Sequence, residues 1–224
     1  MAVATPAFKR HKAHIVYKTF DGKRVPGTTT ICGLLDKSTY LIPWANKLGL
    51  EGIDCNEYRD GMAGVGTLAH AMVQAELAGG ECAEDVAEYS PKEIALAENA
   101  LIKFLDWRKT HTIEPIWLER PFVSEDHRYG GTIDCYCLLD GKPTLVDFKT
   151  SKRIYDDMVY QLAAYRQLLR EHLYDVENTR ILRIGRDEME GFEEREFTAQ
   201  QLDVAWEVFA RLREIYDLKK RIGG

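Results

Sequence analysis

The sequence lacks the features of several large protein classes. It has no apolar run near the roughly 20 residues that a membrane-spanning helix requires. Its N-terminal segment, MAVATPAFKRHKAH, has no apolar stretch of the length found in signal peptides. The five cysteines are odd in number and irregularly spaced, which argues against a disulfide framework. We therefore expect a cytoplasmic protein without a membrane partner, and the absence of a Walker A sequence excludes a P-loop motor within this chain.

The chain does contain enough apolar sequence for a folded core. Of its 224 residues, 45% are hydrophobic and 10% are aromatic, which excludes a disordered chain. The net charge of -6 argues against a histone-like coating of nucleic acid but leaves a local basic cleft open. No repeat and no linker divides the sequence. We expect one domain over residues 1–224, with a hairpin and helices over 1–110 and a sheet core and C-terminal helix over 111–224.

Local patterns in the first half predict a hairpin followed by helices. The β-branched and aromatic run His14–Phe20, followed by Asp21-Gly22, predicts a hairpin arm. Between about Thr30 and Gly79 the pattern is helical but interrupted by several glycines and a proline, so short helical pieces are expected. Ser90-Pro-Lys-Glu93 combines an N-cap serine, a proline at the first helical position and a capping-box glutamate. It predicts a helix that runs to about Lys109.

The second half changes to a strand pattern. Three β-rich runs are separated by turn signals, including Asp140-Gly141, and a helix, a strand and a helix capped by Thr198 follow. The predicted strands cover Ile113–Val123, Gly131–Leu139, Thr144–Lys149 and Arg180–Ile184. The predicted helix between the last two strands covers Asp156–His172. This order predicts an α/β domain, with a small central mixed sheet flanked by helices and an N-terminal helical elaboration.

The segment from Gly130 to Thr150 carries the clearest chemical pattern. Asp147 and Lys149 share one face of a strand with Leu145, because side chains alternate between the two faces. The Asp140-Gly141 turn folds the preceding strand back and brings Asp134 towards Asp147. Two carboxylates on neighbouring strands form a site for a hard cation such as Mg²⁺ or Mn²⁺. The alternative is a solvated surface pair, but the flanking sequence is apolar enough for an interior strand, where charges require a reason.

Two further segments contain polar side chains at helical spacing. Gly66-Thr-Leu-Ala-His70 puts a histidine one turn inside a helix that begins after glycines. Gln161-Leu-Ala-Ala-Tyr165 puts an amide and a phenol one helical turn apart. Taken alone, the first is an ordinary packed or surface histidine and the second is the rim of an amphipathic helix. An imidazole can also complete an oxygen-rich metal site.

Four of these segments together resemble the RecB-type branch of the PD-(D/E)xK nucleases. That family shows Gly-Thr-x-x-His, Gly-x-x-Asp, Asp-x-Lys with a following Thr, and Gln-x-x-x-Tyr. The corresponding segments here occur in the same order: Gly66–His70, Gly131–Asp134, Asp147–Thr150 and Gln161–Tyr165. The segment Val25–Leu35, with the later Pro43-Trp44, is also similar to the N-terminal part of phage-encoded exonucleases of this branch. The resemblance implies a restriction-endonuclease-like domain.

The resemblance also implies roles for individual residues. Mg²⁺ or Mn²⁺ would be bound by His70, Asp134, Asp147 and the backbone carbonyl of Phe148. Lys149 would be the catalytic lysine, while Gln161 and Tyr165 would hold the scissile phosphate or orient Lys149. Glu119, expected at the start of a strand, resembles an acidic position that some members add, or else is an exposed strand-end glutamate.

Some relatives hold an iron–sulfur cluster, but no cysteine follows Cys137, so no such cluster is expected here. Cys135 and Cys137 are expected to face away from the metal as small core residues.

The function implied is a metal-dependent DNA nuclease, an exonuclease acting on DNA ends in recombination, repair or phage replication. The alternatives are a structure-specific endonuclease on the same fold and a nucleic-acid-binding protein without turnover. The expected partners are linear DNA ends, single- or double-stranded, and a single-strand annealing or replication protein. The expected location is the cytoplasm of a bacterium or of a phage-infected host.

DNA contacts are expected on both sides of the catalytic strand. Lys142, Lys149, Lys152 and Arg153 surround it, and Thr150 follows it directly. The run from Lys9 to Lys12 forms a basic N-terminal arm, and the alternative for both groups is a solvated charge run. Four aromatic residues are candidates for stacking on single-stranded bases, with a place in the core as the alternative: Tyr40, Trp44, Tyr155 and Tyr160.

Overall fold

The computed structural model describes residues 15–223 and contains four helices, a three-stranded antiparallel section, and then a mixed helix–strand section. The first four helices are α1 (Thr28–Cys32), α2 (Ser38–Leu50), α3 (Cys55–Ala78) and α4 (Pro91–Arg108). The antiparallel strands are β1 (Ile113–Ser124), β2 (Tyr129–Leu139) and β3 (Lys142–Lys149). The remaining elements are α5 (Asp156–Glu171), β4 (Asn178–Ile184), β5 (Phe192–Glu196) and α6 (Ala199–Ile222). The predicted basic arm, Lys9 to Lys12, lies outside the described residues.

The five strands form one mixed sheet in the order β1-β2-β3-β4-β5. All neighbouring pairs are antiparallel except β3 and β4, which are parallel because α5 crosses between them. The α/β class and the small mixed sheet predicted from the sequence are therefore confirmed. The sequence patterns missed β5, because its residues Phe-Glu-Glu-Arg-Glu lack the apolar alternation of a half-buried strand.

Each face of the sheet is covered by helices. On one face, Leu145 of β3 packs in a core with residues of α1, α5 and α6, including Ile31, Leu162 and Phe209. On the other face, Val146 and Phe148 pack in a second core, whose helical members include Leu68 of α3 and Phe104 of α4. The predicted alternation along β3 is thus confirmed, since its odd and even positions enter different cores. None of the helices within residues 15–223 is long and apolar enough to cross a bilayer.

Two predicted turns have the backbone that their residues favour. Asp140 and Gly141 both have positive φ, 51° and 81°, which allows the two-residue connection between β2 and β3. In the predicted hairpin arm, Gly22 has φ 77° and its N–H donates to the Thr19 carbonyl. The arm is a small hairpin with one bridge, Lys18 to Arg24, rather than a pair of extended strands.

The prediction of short helical pieces is wrong for α3. This helix begins after Asp54, whose carboxylate accepts the N–H groups of Asn56 and Glu57, and it continues through three glycines to Ala78. Gly66 is one of these three, and a Cβ at this position would lie 2.7 Å from Thr150 Oγ1. The glycine therefore allows close contact with the turn after β3, and this contact outweighs the low helix propensity of glycine. As a result, His70 lies deep within a long helix rather than in its first turn.

Candidate metal and catalytic site

The candidate site lies where β2 and β3 separate. Their paired register runs from Leu139–Lys142 to Cys135–Val146, and Asp134 and Asp147 are the next residues on each strand. Asp134 Oδ2 accepts a hydrogen bond of 2.9 Å from the backbone N–H of Phe148. A side-chain carboxylate thus satisfies the first free amide of β3 beyond the paired register. This opening brings the two predicted carboxylates to the same end of the hairpin, where both are buried.

Three side chains from three elements converge beside this opening. His70 Nε2 of α3 lies 3.2 Å from Asp134 Oδ2 of β2, and His70 Nδ1 lies 3.3 Å from Glu119 Oε1 of β1. The ligand atoms of His70, Glu119 and Asp134 lie within 4.8 Å of one another, close enough for one metal ion to contact all three. Two carboxylates and one imidazole make a donor set suited to a divalent cation.

The histidine and Asp134 shift each other's pKa. Burial alone lowers the pKa of His70, but the charge and hydrogen bond of Asp134, with the charge of Glu119, outweigh it and raise this pKa. Burial likewise opposes ionisation of Asp134, yet the His70 interaction and the Lys149 charge hold its pKa below the ordinary value. Asp134 is therefore ionised at neutral pH and available as a ligand.

Glu119 occupies a different position from the one expected. It lies in the middle of β1 rather than at a strand start, and its φ of 47° is unusual for a residue with a side chain. This backbone directs its carboxylate towards His70 and towards Gln74, whose amide donates a hydrogen bond to Glu119 Oε1. Gln74 is not among the residues predicted from the sequence. Its position four residues after His70 on the same helix face is the signal that could have indicated it.

Asp147 and Lys149 form a buried pair beside the three-residue cluster. Lys149 Nζ lies 2.6 Å from Asp147 Oδ2, and Asp147 is completely buried. Despite this contact, neither Asp147 oxygen accepts a hydrogen bond of good geometry. Burial raises the pKa of Asp147, with Lys149 opposing the shift and Asp134 adding to it. The Lys149 ammonium is stabilised by Asp147 and Asp134 against the effect of burial, so its pKa is also raised.

Asp147 is not one of the three residues whose ligand atoms cluster within 4.8 Å. The family resemblance implies that it binds the metal directly with His70 and Asp134. Its charge nevertheless interacts with both of those residues, so it lies next to the cluster. In this arrangement Asp147 holds Lys149, and because burial raises the pKa of Asp147 to about 7, the carboxyl is only partly ionised at neutral pH.

Gln161 and Tyr165 complete the site from α5. Gln161 Nε2 donates a 2.7 Å hydrogen bond to the Tyr165 hydroxyl oxygen. Burial raises the pKa of Tyr165 well above its ordinary value, and the charges of Asp134 and Asp147 raise it further. Its phenol therefore stays protonated beside the carboxylates. A Cβ on Gly131 would lie 2.5 Å from Tyr165 Cε1, which explains why glycine precedes Asp134 in this motif.

The other predicted residues lie near the end of β3 or in the core. Thr150 faces Gly66 of α3, while Lys152 and Arg153 are exposed on the turn between β3 and α5. Neither of these two cations has an ion pair within 4.0 Å among residues 15–223. Cys135 and Cys137 are buried in the core on the α3–α4 face, as predicted.

No family model matches the chain, and no curated protein is significantly similar to it.

Proposed function

We propose that this chain is a metal-dependent DNA nuclease with a restriction-endonuclease-like domain, which hydrolyses phosphodiester bonds at DNA ends. The observation that carries the proposal is the pairing of two features at one opening of the sheet. One is the ligand cluster of His70, Glu119 and Asp134, and the other is the buried Asp147–Lys149 pair. Together they combine a cation site with a positive side chain beside it, which is the requirement for hydrolysis of a charged ester.

The side chains of the site fit a Mg²⁺ or Mn²⁺ ion. Three carboxylates lie within or beside the cluster, and the two oxygens of fully buried Asp147 accept no hydrogen bond of good geometry. A buried carboxylate requires a compensating cation; Lys149 supplies one at 2.6 Å from Oδ2, while Oδ1 has no partner among residues 15–223. His70, Glu119 and Asp134 would hold the ion, with Asp147 adjacent to it. When bound, such an ion supplies charge neutralisation at the phosphoryl group and lowers the pKa of water.

The residues of the chain account for the remaining chemistry. Asp147 fixes the position of the Lys149 ammonium, which can stabilise the charge that develops on the phosphoryl oxygens. Gln161 donates to the Tyr165 oxygen, so the Tyr165 O–H remains free to donate to an oxygen of the substrate. Because the phenol stays protonated at neutral pH, it serves as a donor and not as a base. Gln74 and Glu119 hold the His70 ring in one orientation.

The proposal is tested by digesting end-labelled linear DNA and covalently closed circular DNA with Mg²⁺ or Mn²⁺. We expect cleavage of the linear DNA, resistance of the circle, and complete inhibition by a chelator. The control is Asp147→Asn, which keeps the side-chain shape and should be inactive. Cleavage of both substrates would favour the endonuclease alternative. Binding of DNA without cleavage under any metal condition would contradict the proposal and favour a binding protein without turnover.

A further inference from the structure

Three side chains next to the candidate site form a surface suited to unpaired bases. The Arg153 guanidinium carbon lies 4.8 Å from the ring centroid of Tyr155 and 5.7 Å from that of Tyr40. Both distances are within the range of cation–π contacts. We name Tyr40, Arg153 and Tyr155 the tyrosine–arginine surface. Tyr40 is 60% exposed and Tyr155 is half-buried, so the accessible part of the surface is mainly the Tyr40 ring.

The surroundings hold this surface in position. Two contacts anchor the chain from Lys149 to Tyr155. Ile154 is buried in the core, and the Ser151 hydroxyl donates a hydrogen bond to the Arg153 carbonyl. The start of α2, which carries Tyr40, is tied to the start of α5 by an ion pair of 2.7 Å between Lys37 and Asp157. The rings and the guanidinium are therefore brought together by contacts outside the surface itself.

The charge and position of the surface point to a nucleic-acid strand. Arg153 and neighbouring Lys152 are exposed and have no ion pair within the described part of the chain, so both can take phosphates. Arg153 follows Lys149 by four residues, which limits the distance between their Cα atoms to about 14 Å. At about 3.4 Å per stacked base, the surface lies within a few nucleotides of the candidate catalytic lysine.

The structure also separates these tyrosines from the other aromatic candidates. Trp44 packs edge-to-face against Tyr58, with 6.2 Å between the ring centroids, and this contact joins α2 to α3. Tyr160 is partly buried and packs against the core on the α5–α6 face. Neither ring has a stacked cation among residues 15–223. Of the four candidates, only Tyr40 and Tyr155 combine a stacked arginine with a position beside the site.

We propose that the tyrosine–arginine surface stacks unpaired bases of the DNA strand that enters the site, so that the substrate is a single-stranded or frayed DNA end. This inference rests on the proposed nuclease function. Base stacking on aromatic side chains tolerates any sequence because every base has a π-face. A duplex keeps its bases stacked on one another, so it cannot use this surface without opening at its end.

The test compares a short single-stranded oligonucleotide with one of the same length that carries an internal run of abasic residues. Both have the same phosphates, so a difference in affinity reports base contacts. With wild-type protein in EDTA, fluorescence anisotropy should show about tenfold tighter binding of the intact oligonucleotide. The double variant Tyr40→Leu/Tyr155→Leu should bind both with equal affinity. Tyr40→Phe/Tyr155→Phe keeps the rings and should retain the preference.

Cleavage of thymidine 5′-p-nitrophenyl phosphate with Mn²⁺ separates this inference from the proposed function. This small ester tests the metal site without neighbouring bases, and the leucine variant should cleave it at the wild-type rate. An unchanged preference for the intact oligonucleotide in a folded leucine variant would overturn the inference while leaving the nuclease function intact. If the leucine variant does not fold, Arg153→Gln supplies the test, because this exposed substitution should reduce the preference. Failure of wild type to cleave either DNA or the ester would instead contradict the nuclease function.

Discussion

Asp147 is the side chain whose surroundings are least compatible with a purely structural role. It is fully buried, its nearest cation is Lys149 at 2.6 Å, and neither of its oxygens accepts a hydrogen bond of good geometry. A carboxylate in these surroundings normally destabilises a fold, and native proteins keep such groups where they serve binding or catalysis. Two substitutions test the site at this scale: one removes Lys149, the partner of Asp147, and the other removes Gln74, which contacts His70.

Lys149→Ala should separate catalysis from metal binding. The substitution removes the charge-stabilising ammonium and should reduce cleavage by about 10²–10³-fold. It also leaves buried Asp147 without its cation, so the metal-free variant should have a lower Tm than wild type. Adding Mn²⁺ should raise the Tm of the variant more than that of wild type, because the ion then replaces a missing positive charge. Thermal scans and cleavage rates on one preparation check this, and a wild-type cleavage rate would contradict the proposed role.

Gln74→Ala should weaken metal binding without removing a ligand. Gln74 contacts both His70 and Glu119, and loss of such a supporting contact typically lowers metal affinity by about tenfold or more. Calorimetric titration with Mn²⁺ provides the measurement. Gln167→Ala on α5 is the matched control, because within residues 15–223 its amide donates to Glu171 in the same helix and not to a residue of the site. Equal affinity of the two variants would show that Gln74 does not position the metal ligands.

Helix α3 shows how an unfavourable residue for a helix can be required by its neighbour. Gly61 and Gly66 both lie in the helix interior, but their surroundings differ. A Cβ on Gly61 would have no neighbour within 4 Å, whereas one on Gly66 would meet Thr150 Oγ1 at 2.7 Å. The first glycine therefore only lowers helix stability, and the second allows the turn after Lys149 to approach the helix that carries His70.

Alanine substitutions at these two glycines should change stability in opposite directions. Gly61→Ala should stabilise the protein by roughly 0.5–1 kcal/mol, because alanine loses less backbone entropy in a helix. Gly66→Ala should lower stability and cleavage activity, because the new methyl group displaces Thr150. Chemical denaturation of both variants gives the comparison. A gain in stability for Gly66→Ala equal to that for Gly61→Ala would contradict the close-packing argument.

The elements that sequence patterns predicted well were those with strong local signals. The capping boxes at Ser90 and Thr198 begin α4 and α6 as expected, and Asp140-Gly141 makes the predicted turn. The patterns failed where distant contacts decide the structure. Helix α3 continues through its glycines with Leu68, Val73 and Leu77 packed in the core, and no local rule contains this packing.

The candidate site was predictable to the same extent. Asp134 and Asp147 follow from one hairpin, and so does their nearness to Lys149. The contribution of Glu119 depends on a positive φ in the middle of β1, and that of Gln74 depends on how α3 docks against this strand. Both require knowledge of the tertiary structure. The resemblance named Glu119, and the i, i+4 spacing places Gln74 beside His70, but neither shows that Gln74 also contacts Glu119.

The whole molecule is acidic, so the proposed contact with DNA would be local. The chain has 36 acidic and 30 basic residues, and DNA should meet positive charge mainly on the turn after β3. We expect DNA affinity to fall linearly with salt on logarithmic axes. Lys152→Gln should reduce the magnitude of that slope by about one, because one phosphate contact is lost. Titrations at several salt concentrations provide the test, with Lys220→Gln on α6 as a control that should leave the slope unchanged.

Both edges of the sheet are closed to further strands. β1 carries Pro115 and Pro121, which offer no N–H for pairing, and its register shifts between Pro115 and Trp117. At the opposite edge, β5 has five residues, four of them charged, and a short charged strand is a poor template for another strand. The folded protein should therefore resist edge-to-edge aggregation at high concentration, even though both faces of its sheet are strongly apolar.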